Sequence, residues 1–260
     1  MTIKKRKGAT RRADIPPSLL QKLNRGETES LTLAESLAVD FAKLMQHAFP
    51  ALDQSLVMAM QDAKEAGWVA RTRLAGELLY RGFGAKGLQK TFNHPSDQVR
   101  GWGASLVAAI PTLAIAERLD LIRTIADDAN PGARETAWLM LRPHLAADVR
   151  HGIKMLQPWA EDSKPHLRRF ASEITRPRGV WCLHIPELRK DPKPGLPLLE
   201  ALRADPSRYV QNSVANWLND ASKDNPAFVK TVCRLWAQQS KTPETAYICK
   251  RAQRTIKKKR

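Results

Sequence analysis

Asp220 lies in a stretch, 208–222, whose apolar residues Val210, Val214, Trp217, Leu218 and Ala221 recur at helical spacing. Asn212, Asn216, Asn219, Asp220 and Lys223 fall on a separate arc of the same helix. Asparagine and aspartate are poor helix formers because their side chains compete for backbone hydrogen bonds, so this grouping points to a polar site. Glu135 and Trp138 stand three residues apart on one face of another expected helix, and Trp138 and Trp217 are candidate aromatic walls. Paired carboxylates beside an aromatic platform suit hydrolysis of a glycosidic bond, where positive charge develops on a sugar and a water must be steered. The plainer alternative is that Asp220 simply pairs with Lys223 on a solvated surface.

A second group of reactive side chains sits at 168–181. Leu167, Phe170, Ala171 and Ile174 follow i, i+3, i+4, i+7 spacing and make one apolar face, and Arg169, Ser172, Glu173 and Arg176 share the opposite face, expected to be wetter. Pro177 ends that helix. Arg176, Arg178 and Trp181 bracket the loop that follows, a combination suited to gripping phosphate with guanidinium forks and stacking an indole on a sugar or base. The alternative is an Arg–Glu surface pair and a tryptophan that fills the core.

The elements that would hold these groups repeat. Four proline turns, at 93–100, 130–134, 162–168 and 205–211, each lead into a helix carrying Arg100, Arg134, Arg168 or Gln211. The intervals are 34, 34 and 43 residues, and second apolar helices fall between them at 116–126, 146–159 and 196–203. Earlier helices are expected at 18–24, 32–47, 52–65 and 68–83. Two helices per unit with no strand-like alternation is the pattern of an α-solenoid, so the expected fold is all-α, a single curved superhelix of HEAT-like repeats. Equivalent positions then align, and Arg100, Arg134 and Arg168 form a row that either grips a phosphate backbone or ties each repeat to an acid of the next.

Charge supports a polyanionic partner, with a qualification. The chain of 260 residues carries a formal +17, from 43 basic and 26 acidic residues, but residues 1–12 and 250–260 together hold 13 basic residues and no acid. Between them the balance is 30 against 26, so a binding face there depends on arrangement. The expected organisation is a disordered basic tail at 1–12, a repeat domain at 13–256 and a short basic tail at 257–260. Cys182, Cys233 and Cys249 show no paired spacing and the six histidines no ligand pattern, so neither a disulfide framework nor a metal site is expected. No signal peptide and no membrane span is expected either, and the chain reads as a cytoplasmic monomer.

Residues 8–49, 168–181 and 209–226, with Ser213-Val214-Ala215-Asn216-Trp217-Leu218-Asn219-Asp220 at the centre of the last, resemble the alkylpurine DNA glycosylase AlkC family of HEAT-like-repeat glycosylases. So does the run 246–252. The resemblance implies a repair enzyme that removes cationic N-methylated bases such as 3-methyladenine from duplex DNA, without metal or cofactor and without flipping the base. By the same resemblance Asp220 matches the aspartate that positions water and opposes the sugar cation. Arg169 and Trp181 match residues that hold phosphate and pack on the sugar. Arg100, Arg134, Arg168, Arg169, Arg176, Arg178, Asn216 and Lys223 are the expected DNA contacts, and Asp220, Glu135 and Trp181 the expected catalytic set. Many family members carry a catalytic glutamate where this chain has Trp138, and Glu135, one turn earlier, is its expected substitute. Some relatives also have an immunoglobulin-like C-terminal domain, which this sequence is not expected to contain. The competing reading is a non-catalytic HEAT-repeat protein that binds damaged or branched DNA.

Overall fold

The structure, a computed structural model, describes residues 6–258. Those residues are helical throughout, with short loops and no strand among them. In chain order the α-helices are α1 (Pro17–Arg25), α2 (Leu33–Ala38), α3 (Phe41–Ala48), α4 (Gln54–Asp62), α5 (Trp68–Phe83), α6 (Gly87–Thr91), α7 (Asp97–Ala109), α8 (Ile115–Ala126) and α9 (Pro131–Ala147). There follow α10 (Val149–Ala160), α11 (Pro165–Ile174), α12 (Pro186–Lys190), α13 (Leu196–Ala201), α14 (Arg208–Ala221), α15 (Pro226–Gln239), α16 (Pro243–Ala252) and α17 (Arg254–Lys258). The chain divides into two compact units, Met1–Met140 and Leu141–Arg260.

The four expected headings open α7, α9, α11 and α14. One departure lies early in the chain, where the expected helix at 32–47 is split into α2 and α3. Asp40 causes the break: its N–H goes to Asn24 Oδ1 at 2.8 Å and its own Oδ1 caps the N–H groups of Ala42 and Lys43, both at 3.1 Å. In the first unit α5 and α7 cross closely, and a Cβ on Gly76 would stand 2.3 Å from the Ser105 carbonyl carbon, so only glycine fits there.

The tail at 1–12 also departs from expectation over its described part. Buried Glu35 receives Arg6 Nη1 at 2.5 Å, the Ala9 N–H at 2.8 Å and the Leu31 N–H at 2.8 Å, which fixes residues 6–9 against the first unit. Burial raises the Glu35 carboxyl, and the Arg6 guanidinium with the two backbone donors outweighs it, leaving the group below the usual glutamate range. Residues 1–5 of the expected N-terminal tail and 259–260 of the expected C-terminal tail lie outside the described residues.

The heading arginines are braces inside the repeats. Arg100 Nη1 donates to the carbonyls of His94 (2.8 Å) and Pro95 (3.1 Å), Arg134 Nη1 to those of Asp128 (2.5 Å) and Ala129 (2.9 Å), and Arg168 Nη1 to those of Asp162 (2.8 Å) and Ser163 (2.9 Å). Gln211 keeps the pattern by donating to the Asp205 carbonyl at 2.7 Å. The guanidinium of Arg100 then grips Asp128 through Nε (2.6 Å) and Nη2 (3.0 Å) and also bonds Glu29, and that of Arg168 grips Asp205 through Nε (2.6 Å) and Nη2 (3.1 Å). Asp128 and Asp205 in turn each hold the turn that starts the next heading, accepting the N–H of Asn130 at 2.7 Å and of Ser207 at 2.8 Å. The groups expected to grip phosphate or to tie one repeat to the next are thus engaged by carbonyls and, at Arg100 and Arg168, by carboxylates of the following repeat, the contact that the second alternative expects. Arg168→Ala is expected to lower stability by about 3 kcal/mol, because it leaves Asp205 buried without its partner. Urea unfolding checks this expectation.

Candidate functional site

In the second unit, α11 and α14 pack side by side through polar residues. The face of α11 expected to be wet is covered by α14, and Ser172, Glu173 and Arg176 are all buried. Glu173 Oε2 accepts the Ser213 hydroxyl at 2.6 Å and lies 3.4 Å from Arg169 Nη1, while Oε1 accepts Arg176 Nη1 at 2.5 Å. The Ser172 hydroxyl completes the layer by donating to Ser213 Oγ at 2.7 Å. Burial would push the Glu173 carboxyl up, but the guanidiniums of Arg169 and Arg176 and the Ser213 hydroxyl together hold it below the usual range.

Arg176 joins this carboxylate to a second one. Its Nε and Nη2 lie 2.8 and 2.7 Å from Asp220 Oδ2, and Lys223 Nζ donates to Oδ1 at 3.1 Å. Asp220 is buried, with 3% of its surface exposed, whereas the Lys223 side chain keeps 40% of its surface in solvent. Of the expected site residues, Asp220, Arg176, Arg169 and Lys223 are thus brought into one network. Glu173 belongs to it and was missed. Its spacing of four from Arg169 and three from Arg176 was visible, but the serines at 172 and 213, small polar residues at positions where two helices meet, were the available sign that this face is packed.

The loop after α11 is built to hold one shape. Arg142, buried on α9, donates from Nη1 to the Ile174 carbonyl at 2.6 Å, from Nη2 to the Arg176 carbonyl at 2.5 Å and from Nε to the Leu183 carbonyl at 3.2 Å. The Ile185 N–H closes the loop on the Pro177 carbonyl at 3.1 Å. Arg178 and Arg189 both fork onto Asp224, at 2.7 to 2.9 Å and 3.0 to 3.1 Å. Hydrogen bonds from these two forks drive the Asp224 carboxyl far below the ordinary aspartate range. Trp181, at the tip, has φ 60°, a left-handed conformation that costs a bulky residue about 1–3 kcal/mol, and 52% of its surface is exposed. Val180 and Leu183 are exposed beside it. Arg142 was also missed; a lone arginine inside the apolar run 137–145 was its sign.

Other expected site residues are placed differently. Trp217 is fully buried with its indole N–H on Thr175 Oγ1 at 3.2 Å, so it is core and forms no aromatic wall. Trp138 is 5% exposed and donates to Glu135 Oε2 at 2.8 Å, which makes it a packed ring and gives Glu135 a local partner. The Arg178 fork, expected to contact phosphate, is engaged by Asp224. Asn216 accepts Arg254 Nη2 at 2.9 Å, and Asn219, expected to be exposed, is buried with its amide on the Ala252 carbonyl at 3.0 Å. Those asparagines serve as the polar seam between α14 and the helices α16 and α17. Among the described residues no group of three or more His, Cys, Asp or Glu side chains is placed to hold a metal ion, and no helix is long and apolar enough to cross a membrane.

A helical-repeat chain with a buried carboxylate pair and a strained aromatic loop defines a class, and residues 114–246 match the model of the DNA alkylation repair enzyme family. The chain belongs to that family. Its fold is similar to that of the Pseudomonas fluorescens alkylpurine DNA glycosylase AlkC, solved bound to DNA containing an abasic site analog, with a TM-score of 0.68 and 24% identity over 91% of this chain and 64% of that one. It is similar also to AlkD2 from Streptococcus mutans, with a TM-score of 0.62 and 21% identity over 77% of this chain and 97% of that one. An uncharacterized Bacillus subtilis (strain 168) protein, YhaZ, is 44% identical over 124 residues, 48% of this chain and 34% of the relative. The chain thus spans about a third of that curated relative in the match.

Proposed function

We propose that the protein is a monofunctional DNA glycosylase that hydrolyses the N-glycosidic bond of cationic alkylated bases of the 3-methyladenine type in duplex DNA, without flipping the base and as a cytoplasmic monomer needing no cofactor. The observation that carries this reading is the pair Glu173 and Asp220, buried and bridged by Arg176 at the root of the loop whose tip is the strained Trp181. In the reaction the C1′–N bond breaks with its electron pair going to the base, which leaves neutral because it was cationic. No general acid is needed for that departure. The positive charge that appears on the sugar is opposed by Asp220, and water adds its oxygen to C1′ while its proton passes to Asp220 or to solvent. Lys223 is the exposed partner of Asp220, so a swing of Lys223 toward phosphate presents Oδ1 to the sugar and the water. Glu173 holds Arg169 and Arg176 in place, and Glu135, expected as the substitute for the family's catalytic glutamate, is assigned to holding Trp138. Trp181 packs on the deoxyribose.

Chromatography of bases released from duplex treated with a methylating agent tests the substrate class. Release of 3-methyladenine is expected, with no release of uracil or hypoxanthine from duplexes carrying those neutral lesions, since neutral leaving groups need an acid. Equal release of neutral bases would overturn the assignment, and tight binding with no release at all would leave the chain a DNA binder.

A further inference from the structure

Arg100, Arg168, Arg176, Arg178 and Arg189 are held by carboxylates. Arg208, Arg251 and Arg254, in the second unit, make no ion pair among the described residues and gather on one side of α14. Arg208, Asn212, Asn216 and Asp220 follow one another at intervals of four along that helix. Opposite them, Tyr247 of α16 donates its hydroxyl to Asn212 Oδ1 at 2.7 Å. The Arg208 guanidinium carbon lies 3.6 Å from the centre of the Tyr247 ring and that of Arg251 5.6 Å from it. Arg254 is set by two bonds, from Nη2 to Asn216 Oδ1 at 2.9 Å and from Nη1 to the Arg251 carbonyl at 3.0 Å.

Three guanidiniums are therefore oriented by an aromatic ring, an amide and a carbonyl, and none of these neutralises them. Burial and the neighbouring Arg251 hold the Arg254 guanidinium below its ordinary range, with the charge of Asp220 opposing them in part. Fixed guanidiniums that make no ion pair are suited to phosphate, which they meet in a fork geometry. The stripe also has a direction, since the fourth position of the same α14 row is Asp220. A cationic path that ends at the carboxylate proposed to face the sugar matches a strand whose phosphates lie on either side of the reacting nucleotide.

We propose that Arg208, Arg251 and Arg254 form a phosphodiester track that receives the DNA strand flanking the lesion and leads it toward Asp220. This rests on the reading of the protein as one that acts on duplex DNA; it concerns which residues hold the backbone and is independent of whether a base is released.

The test is a salt series of binding isotherms on an undamaged duplex with Arg208→Gln, Arg251→Gln and the two combined. Each lost phosphate contact removes about 0.9 from the slope of log affinity against log salt, so each single variant is expected to flatten the slope by about that much and the double variant by about twice as much. Arg251→Lys is expected to restore most of the slope, which a purely structural arginine would not show. Lys230→Gln, an exposed lysine on α15, should leave the slope unchanged. Thermal unfolding midpoints like the wild type's keep misfolding out of the comparison, and if either Gln variant unfolds the corresponding Lys variant and its slope decide. The proposal is overturned if the Arg208 and Arg251 variants keep the wild-type slope, or if Lys230→Gln flattens it equally. Because no methylated base is involved, a chain that binds through this track yet releases no base would refute the glycosylase reading alone.

Discussion

Asp220→Asn is expected to cut base release by about two to three orders of magnitude while duplex binding stays within a few-fold of the wild type. The substitution is nearly isosteric, and the amide oxygen still accepts from Arg176 or Lys223, so the α11–α14 layer keeps its shape. On the proposed reading, what is lost is the negative charge facing the sugar as it becomes cationic. A group that acts only in the transition state lowers the single-turnover rate and not the affinity, and that split separates it from a residue that merely holds α14 in place. Single-turnover rates at saturating protein, with binding measured on the same duplex, check both parts. Equal rates for the two proteins would show that Asp220 is an anchor for Arg176 and nothing more.

Glu173→Ala is the change expected to cost most stability, about 3–5 kcal/mol, because it removes the buried carboxylate that serves Arg169, Arg176 and the Ser213 hydroxyl in one layer. Urea unfolding measures the loss. Glu173→Gln keeps the volume and separates charge from packing. The Glu173 carboxyl lies below its ordinary range in the folded protein, so its ionised form stabilises the fold at pH values above the unfolded glutamate pKa of about 4.3. That contribution is lost as pH falls below about 4 and through the lower folded value. The wild type is therefore expected to lose its advantage over Glu173→Gln progressively on acidification over that window. A stability difference that is flat with pH would show that Glu173 acts through volume alone.

The helical repeat is legible in the sequence because its signature is local: a turn with proline, an arginine six residues after a turn residue, and apolar spacing on the helix that follows. The same signature hides what the arginine touches. Spacing of 34 residues aligns Arg100 with Arg134 and Arg168, but Asp128 and Asp205, which grip the first and the last of them, lie in the turns of the next headings and look like ordinary turn residues. Glu173 was misplaced for a related reason. A single helix shows which face is apolar, whereas the opposite face of α11 is covered by α14, and only serines at 172 and 213 mark the place where carboxylate and guanidinium go inside. Helical spacing placed Asp220 on a polar arc and loop composition marked Trp181, with the resemblance supplying the roles expected of them, and the left-handed backbone of Trp181 has no signature in its own residue type. The tail at 6–9 looked like solvated charge, because the one acid that orders it, Glu35, is distant in sequence and would pass for a surface residue of a helix first turn.

The most direct measurement is the formation of abasic sites under single-turnover conditions, with protein saturating a duplex that carries N-methylated purines and occupancy read in the same samples. Alkali-labile strand breaks that accumulate with first-order kinetics at full occupancy, accompanied by free 3-methyladenine, are the expected result. Full occupancy with no abasic sites beyond the spontaneous rate would contradict the central claim and leave a repeat protein that binds DNA without acting on it.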